Sequence, residues 1–363
     1  MTSTALKDWY NLAFFEQLCR DFEAAYPSFP SEKFMTLIFD EAWPARSLKE
    51  RMRHITASLH EILPANYSES IEILKKVAPK TDKFLGMFFP DFVETYGLQN
   101  WKISIPALAY FTQYGSSEFA VRPFIEARPT EMMQQMLAWA KHENHHVRRL
   151  ASEGCRPLLP WGRVLRDLKA NPAPIFPILE LLKNDESEYV RRSVANNLND
   201  IAKNQPKQVI EIATRWYGDN ENTDKLVKHA CRTLLKKANP EALRLFGFGS
   251  TEFVKVFDLA LEKASVQIGE KLYFSFFLEN IATYSQKLRL EYRIDYVKKS
   301  GNTSPKIFQI KEKTYEAGSK ILIKRSQSFQ NFTTRKHYAG RHQLTIVVNG
   351  VAFENVSFDV IQP

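Results

Sequence analysis

HHVRRLASEGCR at 145–156, EYVRRSVANNLN at 188–199 and KLVKHACRTLLK at 225–236 are three versions of one segment. Aligned on Val147, Val190 and Val227, they recur after 43 and then 37 residues. Each carries apolar residues at three- and four-residue steps, the rhythm of one helix face. Periods in this range belong to helix pairs of the HEAT class. Such pairs stack into a curved solenoid in which one helix of each pair lines the concave face. The longer first interval contains PLLPWGRVLRDLKANP (157–172). An insertion in a repeat array maps to a loop on one face, often the binding face.

The helical rhythm extends outward from these segments. PTEMMQQMLAWAKHE (129–143) and APIFPILELLKN (173–184) share it, and strand-like alternation is scarce before residue 250. Beyond residue 262 the texture changes. LRLEYRIDYV (288–297) alternates apolar and polar residues, and KLYFSFFLEN (271–280), KILIKRS (320–326) and QLTIVVNGVAFENVSFDV (343–360) are β-branched or aromatic runs. The last contains Asn349-Gly350, a favoured hairpin turn. The pattern predicts an all-α HEAT-like repeat domain over 1–260, followed over 261–363 by an all-β immunoglobulin-like sandwich. That sandwich lacks the Cys–Trp–Cys core of antibody domains, so the assignment rests on pattern.

Composition bounds the function. The chain has 363 residues, 44% hydrophobic and 25% charged, as in ordinary globular proteins. No apolar run reaches the roughly eighteen residues a membrane helix needs, and the N-terminus has no signal-peptide pattern. Three scattered cysteines, Cys19, Cys155 and Cys231, fit a reducing compartment and no disulfide framework. A cytoplasmic monomer with no membrane partner is expected. The net charge is +9, and residues 264–363 hold 15 Lys and Arg against 8 Asp and Glu. Such a balance favours a polyanionic partner through counterion release, although a merely soluble basic surface explains it too.

In the opening helix, Val147, Leu150, Ala151 and Gly154 form the stripe expected to be buried. Arg149, Ser152, Glu153 and Arg156 follow the same rhythm and are expected on the exposed side, with Pro157 ending the helix. The matching positions of the later segments are Arg192, Asn196, Asn199 and Lys203, then His229, Thr233 and Lys236. This face of cations and amides suits a phosphate backbone. Glu153 breaks the pattern, since its counterparts are Asn196 and Thr233. Either it pairs with Arg149 at i, i+4, or it awaits a cationic ligand among residues that attract phosphates. Trp161, between Pro160 and Gly162, is either a core residue or an aromatic platform for a cation. A carboxylate and an indole on a basic face describe a pocket for a cationic group within a polyanion, and alkylated bases in DNA are such groups.

VRRLASEGCRPLLPWG and SEYVRRSVANNLNDIAK resemble the bacterial DNA alkylation repair enzymes of the AlkC and AlkD type. The basic β-rich tail narrows the resemblance to AlkC-like proteins with a C-terminal immunoglobulin-like domain. The likeness spans most of the chain and is strongest over 115–205. It implies a monofunctional DNA glycosylase that excises cationic N-alkylated bases, namely 3-methyladenine, 3-methylcytosine and 1-methyladenine, without flipping them into a deep pocket. By motif it implies Glu118 of YGSSEFAVRPF and Glu153 as catalytic carboxylates, with Trp161 as the aromatic contact. Read on its own, Glu118 follows Ser116-Ser117 as a first-turn acid of a helix. No cofactor and no metal are expected. The spacing of His142, His145 and His146 suits a solvated face or a phosphate contact better than a metal site.

The expected partner is double-stranded DNA containing alkylated bases. Arg149, Arg156, Arg163, Arg192, Asn196, Lys203, Lys228 and Lys236 are its candidate contacts in the helical part, while Arg148 and Arg191 lie nearer the buried stripe and suit structural pairs. Lys298 and Lys299, with RKHYAGRH (335–342), are the candidates in the tail. Deleting residues after 262 is expected to weaken DNA binding and flatten its salt dependence. A rival reading is a non-catalytic HEAT-repeat scaffold that grips DNA or an acidic protein.

Overall fold

The computed structural model describes residues 5–332 and 335–362. Among the described residues, sixteen α-helices between Leu12 and Leu245 precede eight β-strands. By their contacts, residues up to Gln205 together with Trp216–Ala230 form one compact unit, and Pro206–Arg215 with residues from Cys231 onward form the other. No helix among the described residues is long and apolar enough to cross a membrane.

In the first unit the repeat helices His145–Gly154, Glu188–Ile201 and Glu221–Ala230 pack in succession. Their anchors Val147, Val190 and Val227 are fully buried. Asn144 caps the first of them, its side chain accepting from the His146 amide at 2.8 Å. Gly154 ends that helix rather than Pro157. A Cβ on Gly154 would lie 2.6 Å from Val121 Cγ2 and 3.0 Å from Met136 Cε, so the chain approaches its neighbours more closely than a side chain permits. The third segment, expected as one helix, divides at Cys231, where ψ is 3° instead of a helical value. Glu221–Ala230 lies before the break and Arg232–Lys236 after it.

The second unit contains β1 (Val254–Leu261), β2 (Ser265–Gln267), β3 (Lys271–Asn280), β4 (Gln286–Val297), β5 (Thr303–Tyr315), β6 (Lys320–Ser328), β7 (Gly340–Val348) and β8 (Val351–Ile361). They form two sheets, ordered β1-β3-β6 and β2-β8-β7-β4-β5. All pairs are antiparallel except β2 with β8. Phe274, Phe276 and Leu278 of β3 share one core with Leu288, Leu290 and Ile294 of β4 and Leu344, Ile346 and Val348 of β7. Asn349 and Gly350 turn β7 into β8 with φ of 46° and 81°, the left-handed pair a two-residue hairpin requires. Arg289 and Glu291, the polar positions of β4, are only 3% and 1% exposed. They are ion-paired at 2.6 Å, with Glu312 on Arg289 as well.

Candidate active site

The stripe expected to face solvent is buried. Ser152, Glu153 and Arg156 are 0%, 5% and 6% exposed. The cause is stacking, because an interior repeat helix has neighbours on two sides. Pro129–Trp139 and Glu188–Ile201 both pack on His145–Gly154. Glu153 therefore lies between helices, where an unpaired charge would be costly.

Its charge is matched within the protein. Glu153 Oε1 lies 3.2 Å from Arg149 Nη2 and 2.7 Å from Arg156 Nη1, so the i, i+4 pair exists and is joined by a second arginine. Oε2 accepts from Ser193 Oγ at 2.6 Å. Arg156 continues the network through Nε to Asp200 at 2.8 Å, and Lys203 pairs with the other Asp200 oxygen at 2.9 Å.

Arg149 joins the two candidate carboxylates. Its Nη1 donates to Glu118 and, at 2.8 Å, to Ser116 Oγ, while Nη2 faces Glu153. The guanidinium also lies 4.9 Å from the centre of the Tyr189 ring, a cation–π contact. Burial works against the Arg149 charge, but Glu153 and Glu118 outweigh it and hold the proton more tightly than usual. Glu118 is not in the first turn of a helix, as its serines suggested. Residues 118–121 form an isolated turn, and the helix starts at Arg122. Its Oε2 takes both Ser116 and Arg149. Among the described residues no donor engages its Oε1.

Trp161 is no core residue. It is 71% exposed, and its φ of 62° is left-handed, a conformation that a bulky non-glycine residue adopts only when its surroundings impose it. Arg122 imposes part of it. This fully buried arginine donates at 2.9 Å to the carbonyls of Gly154 and Arg156, which close the Glu153 helix. It also donates at 2.9 Å to the carbonyl of Arg163, beyond the tryptophan. Burial lowers its pKa to about 10.

The remaining candidates are distributed as follows. Arg163 is half-exposed and ion-paired with Glu126 at 2.8 Å. Arg192 is exposed and pairs with Glu188 at 2.7 Å, and Asn196 Oδ1 lies 3.1 Å from His229 Nε2. Arg192 and His229 help line a groove of about 560 Å³ between Glu188–Ile201 and Glu221–Ala230. Lys203 is exposed and Lys228 half-buried, while Lys236 is exposed in the second unit. Lys298 and Lys299 are exposed at the tip of the β4–β5 hairpin. Arg148 and Arg191 make pairs within the protein: Arg148 pairs with Asp185 at 2.6 Å, and Arg191 donates to the Asp185 and Glu186 carbonyls. His142 Nδ1 accepts from the Asn144 amide at 3.0 Å, and His146 Nε2 meets Lys83 Nζ at 3.1 Å.

Sequence reading missed Tyr189, Ser193, Asp200 and Arg122. The first three lie in the helix of the second repeat, Glu188–Ile201, and touch the first repeat segment, and aligning the segments compares them without showing that they pack together. Arg122 is visible only as one more cation in AVRPF.

Residues 109–242 match a family described as DNA alkylation repair enzyme, and 255–362 match the C-terminal Ig-like domain of the uncharacterised protein YhaZ. The chain is 46% identical to the uncharacterized protein YhaZ of Bacillus subtilis (strain 168) over 355 residues, 98% of this chain and 99% of that protein. It is similar, with a TM-score of 0.96 and 38% identity, to Pseudomonas fluorescens alkylpurine DNA glycosylase AlkC bound to DNA containing an abasic site analog. That likeness covers 99% of this chain and 100% of the other.

Proposed function

The chain belongs to the AlkC-type DNA alkylation repair family, and from that premise we propose that it is a monofunctional DNA glycosylase acting on cationic N-alkylated bases in duplex DNA. The substrates are 3-methyladenine, 3-methylcytosine and 1-methyladenine. The observation that carries the reading is the Arg149-bridged pair Glu118 and Glu153 in the same unit as an exposed, conformationally strained Trp161.

A base alkylated at a ring nitrogen already carries positive charge and leaves without a general acid. As the glycosidic bond stretches, positive charge passes to the deoxyribose, where a fixed carboxylate stabilises it. Glu118 suits this role, because its Oε1 is open and it can also orient and deprotonate the water that attacks C1′. Glu153, buried and held by two arginines and a serine, fixes Arg149 and through it Glu118. Trp161 offers its exposed indole to the cationic lesion. An indole at the surface supports recognition without extruding the base into a cavity, unlike enzymes that flip their target. Arg192, Asn196, Lys203 and Lys228 bind phosphates in the helical unit, and Lys298 and Lys299 do so in the β unit. Such an enzyme works where the DNA is, in the cytoplasm.

The saturation of Glu153 also favours the scaffold reading, in which it is only a salt-bridge partner. Base release decides between them. Methylated duplex DNA incubated with the protein should lose 3-methyladenine and 3-methylcytosine, while uracil and hypoxanthine, being neutral, should remain. Absence of release leaves the scaffold. Equal release of neutral bases refutes the leaving-group argument.

A further inference from the structure

We propose that Lys49, at the start of the helix Leu48–Ile62, is a positioning residue that sets Trp161 against the Glu118 turn. It lies outside the stretch 109–242 that matches the alkylation repair family. The Lys49 ammonium donates to the carbonyl of Trp161 and sits 4.2 Å from the ring centre of Phe119, the residue after Glu118. One side chain thus touches both turns that carry the candidate site.

Trp161 needs such a hold. Its left-handed backbone is disfavoured for any residue with a Cβ, and the residue, 71% exposed, has little packing to keep it there. The turn is held through its backbone instead. Gly162 N donates to Leu159 O at 3.1 Å, Arg122 takes the Arg163 carbonyl at 2.9 Å, and Lys49 takes the Trp161 carbonyl itself. Lys49 is in turn fixed by its helix start, where Ser47 and Glu50 form a reciprocal capping box. Asp91, 2% exposed, and Glu94 line a cavity of about 300 Å³ together with Lys49, Phe119 and Arg163. An ammonium engaged by a carbonyl and an aromatic face, in a cavity that two carboxylates also line, is poorly placed to serve as a phosphate contact.

The test uses the full-length protein labelled with 5-fluorotryptophan. Six tryptophans give six fluorine lines, and Trp161→Phe identifies the one of interest. Lys49→Met should move the Trp161 line and leave the other five in place. Lys49→Arg, which donates to the same carbonyl and stacks on the same ring, should restore it. Should Lys49→Met disturb every line by misfolding, Lys49→Gln, which is polar but shorter, carries the same expectation. A Trp161 line that does not move overturns the proposal.

The kinetic arm rests on the glycosylase reading. Lys49→Met should slow 3-methyladenine release about tenfold at unchanged DNA affinity, as a misplaced site group does. In a Trp161→Ala background the same change should cost less than about twofold, because residues acting as a unit are non-additive. An equal loss in both backgrounds, with weaker DNA binding, makes Lys49 a phosphate contact and overturns the proposal. If the wild type releases no base, the glycosylase reading fails alone, and the fluorine spectrum still decides what Lys49 holds.

Discussion

Replacing Glu118 by glutamine removes one charge and keeps the shape of the side chain, so its effect reports on charge alone. Single-turnover release of 3-methyladenine should fall about a hundredfold or more, with affinity for abasic DNA retained. Glu153→Gln should also slow release but should lower the unfolding midpoint as well, since Arg149 and Arg156 lose their shared partner inside the protein. A Glu118→Gln variant as fast as wild type would move the chemistry to Glu153. His146 supplies a pH effect. Burial, then Lys83, His145 and Arg149, push its pKa from 6.5 down to about 4. The folded protein therefore binds fewer protons than the unfolded chain between those values. Stability is lost as pH falls through that window. Urea midpoints recorded from pH 7 to 4 should fall less steeply for His146→Gln than for wild type, and parallel curves would contradict the assigned shift.

The last residue of the helix His145–Gly154 has no room for a side chain. Gly154→Ala puts a Cβ against Val121 and Met136, and overpacking of this kind costs about 1–3 kcal/mol by chemical denaturation. In β4, Arg289→Met leaves Glu291 buried without its cation, at a cost of about 3–5 kcal/mol. Burial raises the pKa of that glutamate, so the loss should shrink as pH falls and the carboxyl takes up a proton. At this scale the sequence is most informative, because periodicity reports which face of an element meets its own core. KLYFSFFLEN is β3 to the residue, and the three repeat valines are all buried. Periodicity says nothing of a second covered face, and Glu153 was misplaced for that reason. The candidate site could be read only as residue types, two acids and a tryptophan, whereas the bridging by Arg149 and the exposure of Trp161 are tertiary facts. Arg122 and Lys49, which hold the turns, are far from Trp161 in sequence and carry no local signal.

At the level of the whole molecule the remaining question is what the basic surplus of the last hundred residues does. Deleting everything after residue 262 tests it poorly. β1 ends at Leu261 and pairs with β3, so the cut would leave a strand with no sheet. Charge reversal at the β4–β5 hairpin tip is cleaner, since Lys298 and Lys299 are exposed and the turn's backbone bonds, Lys298 N to Asn302 O at 2.8 Å and Gly301 N to Lys298 O at 2.9 Å, do not involve their side chains. If both lysines neutralise phosphates, the doubly reversed protein should bind every duplex more weakly, damaged or not. The slope of log affinity against log salt should become shallower by about 0.9 for each phosphate no longer neutralised. Release of 3-methyladenine at saturating DNA should match wild type, because neither lysine belongs to the carboxylate network. Arg192→Glu, in the groove of the helical unit, should flatten the slope in the same way. Unchanged affinity and slope at the hairpin, beside weaker binding at Arg192, would confine DNA binding to the helical unit and leave the β unit's charge to another purpose.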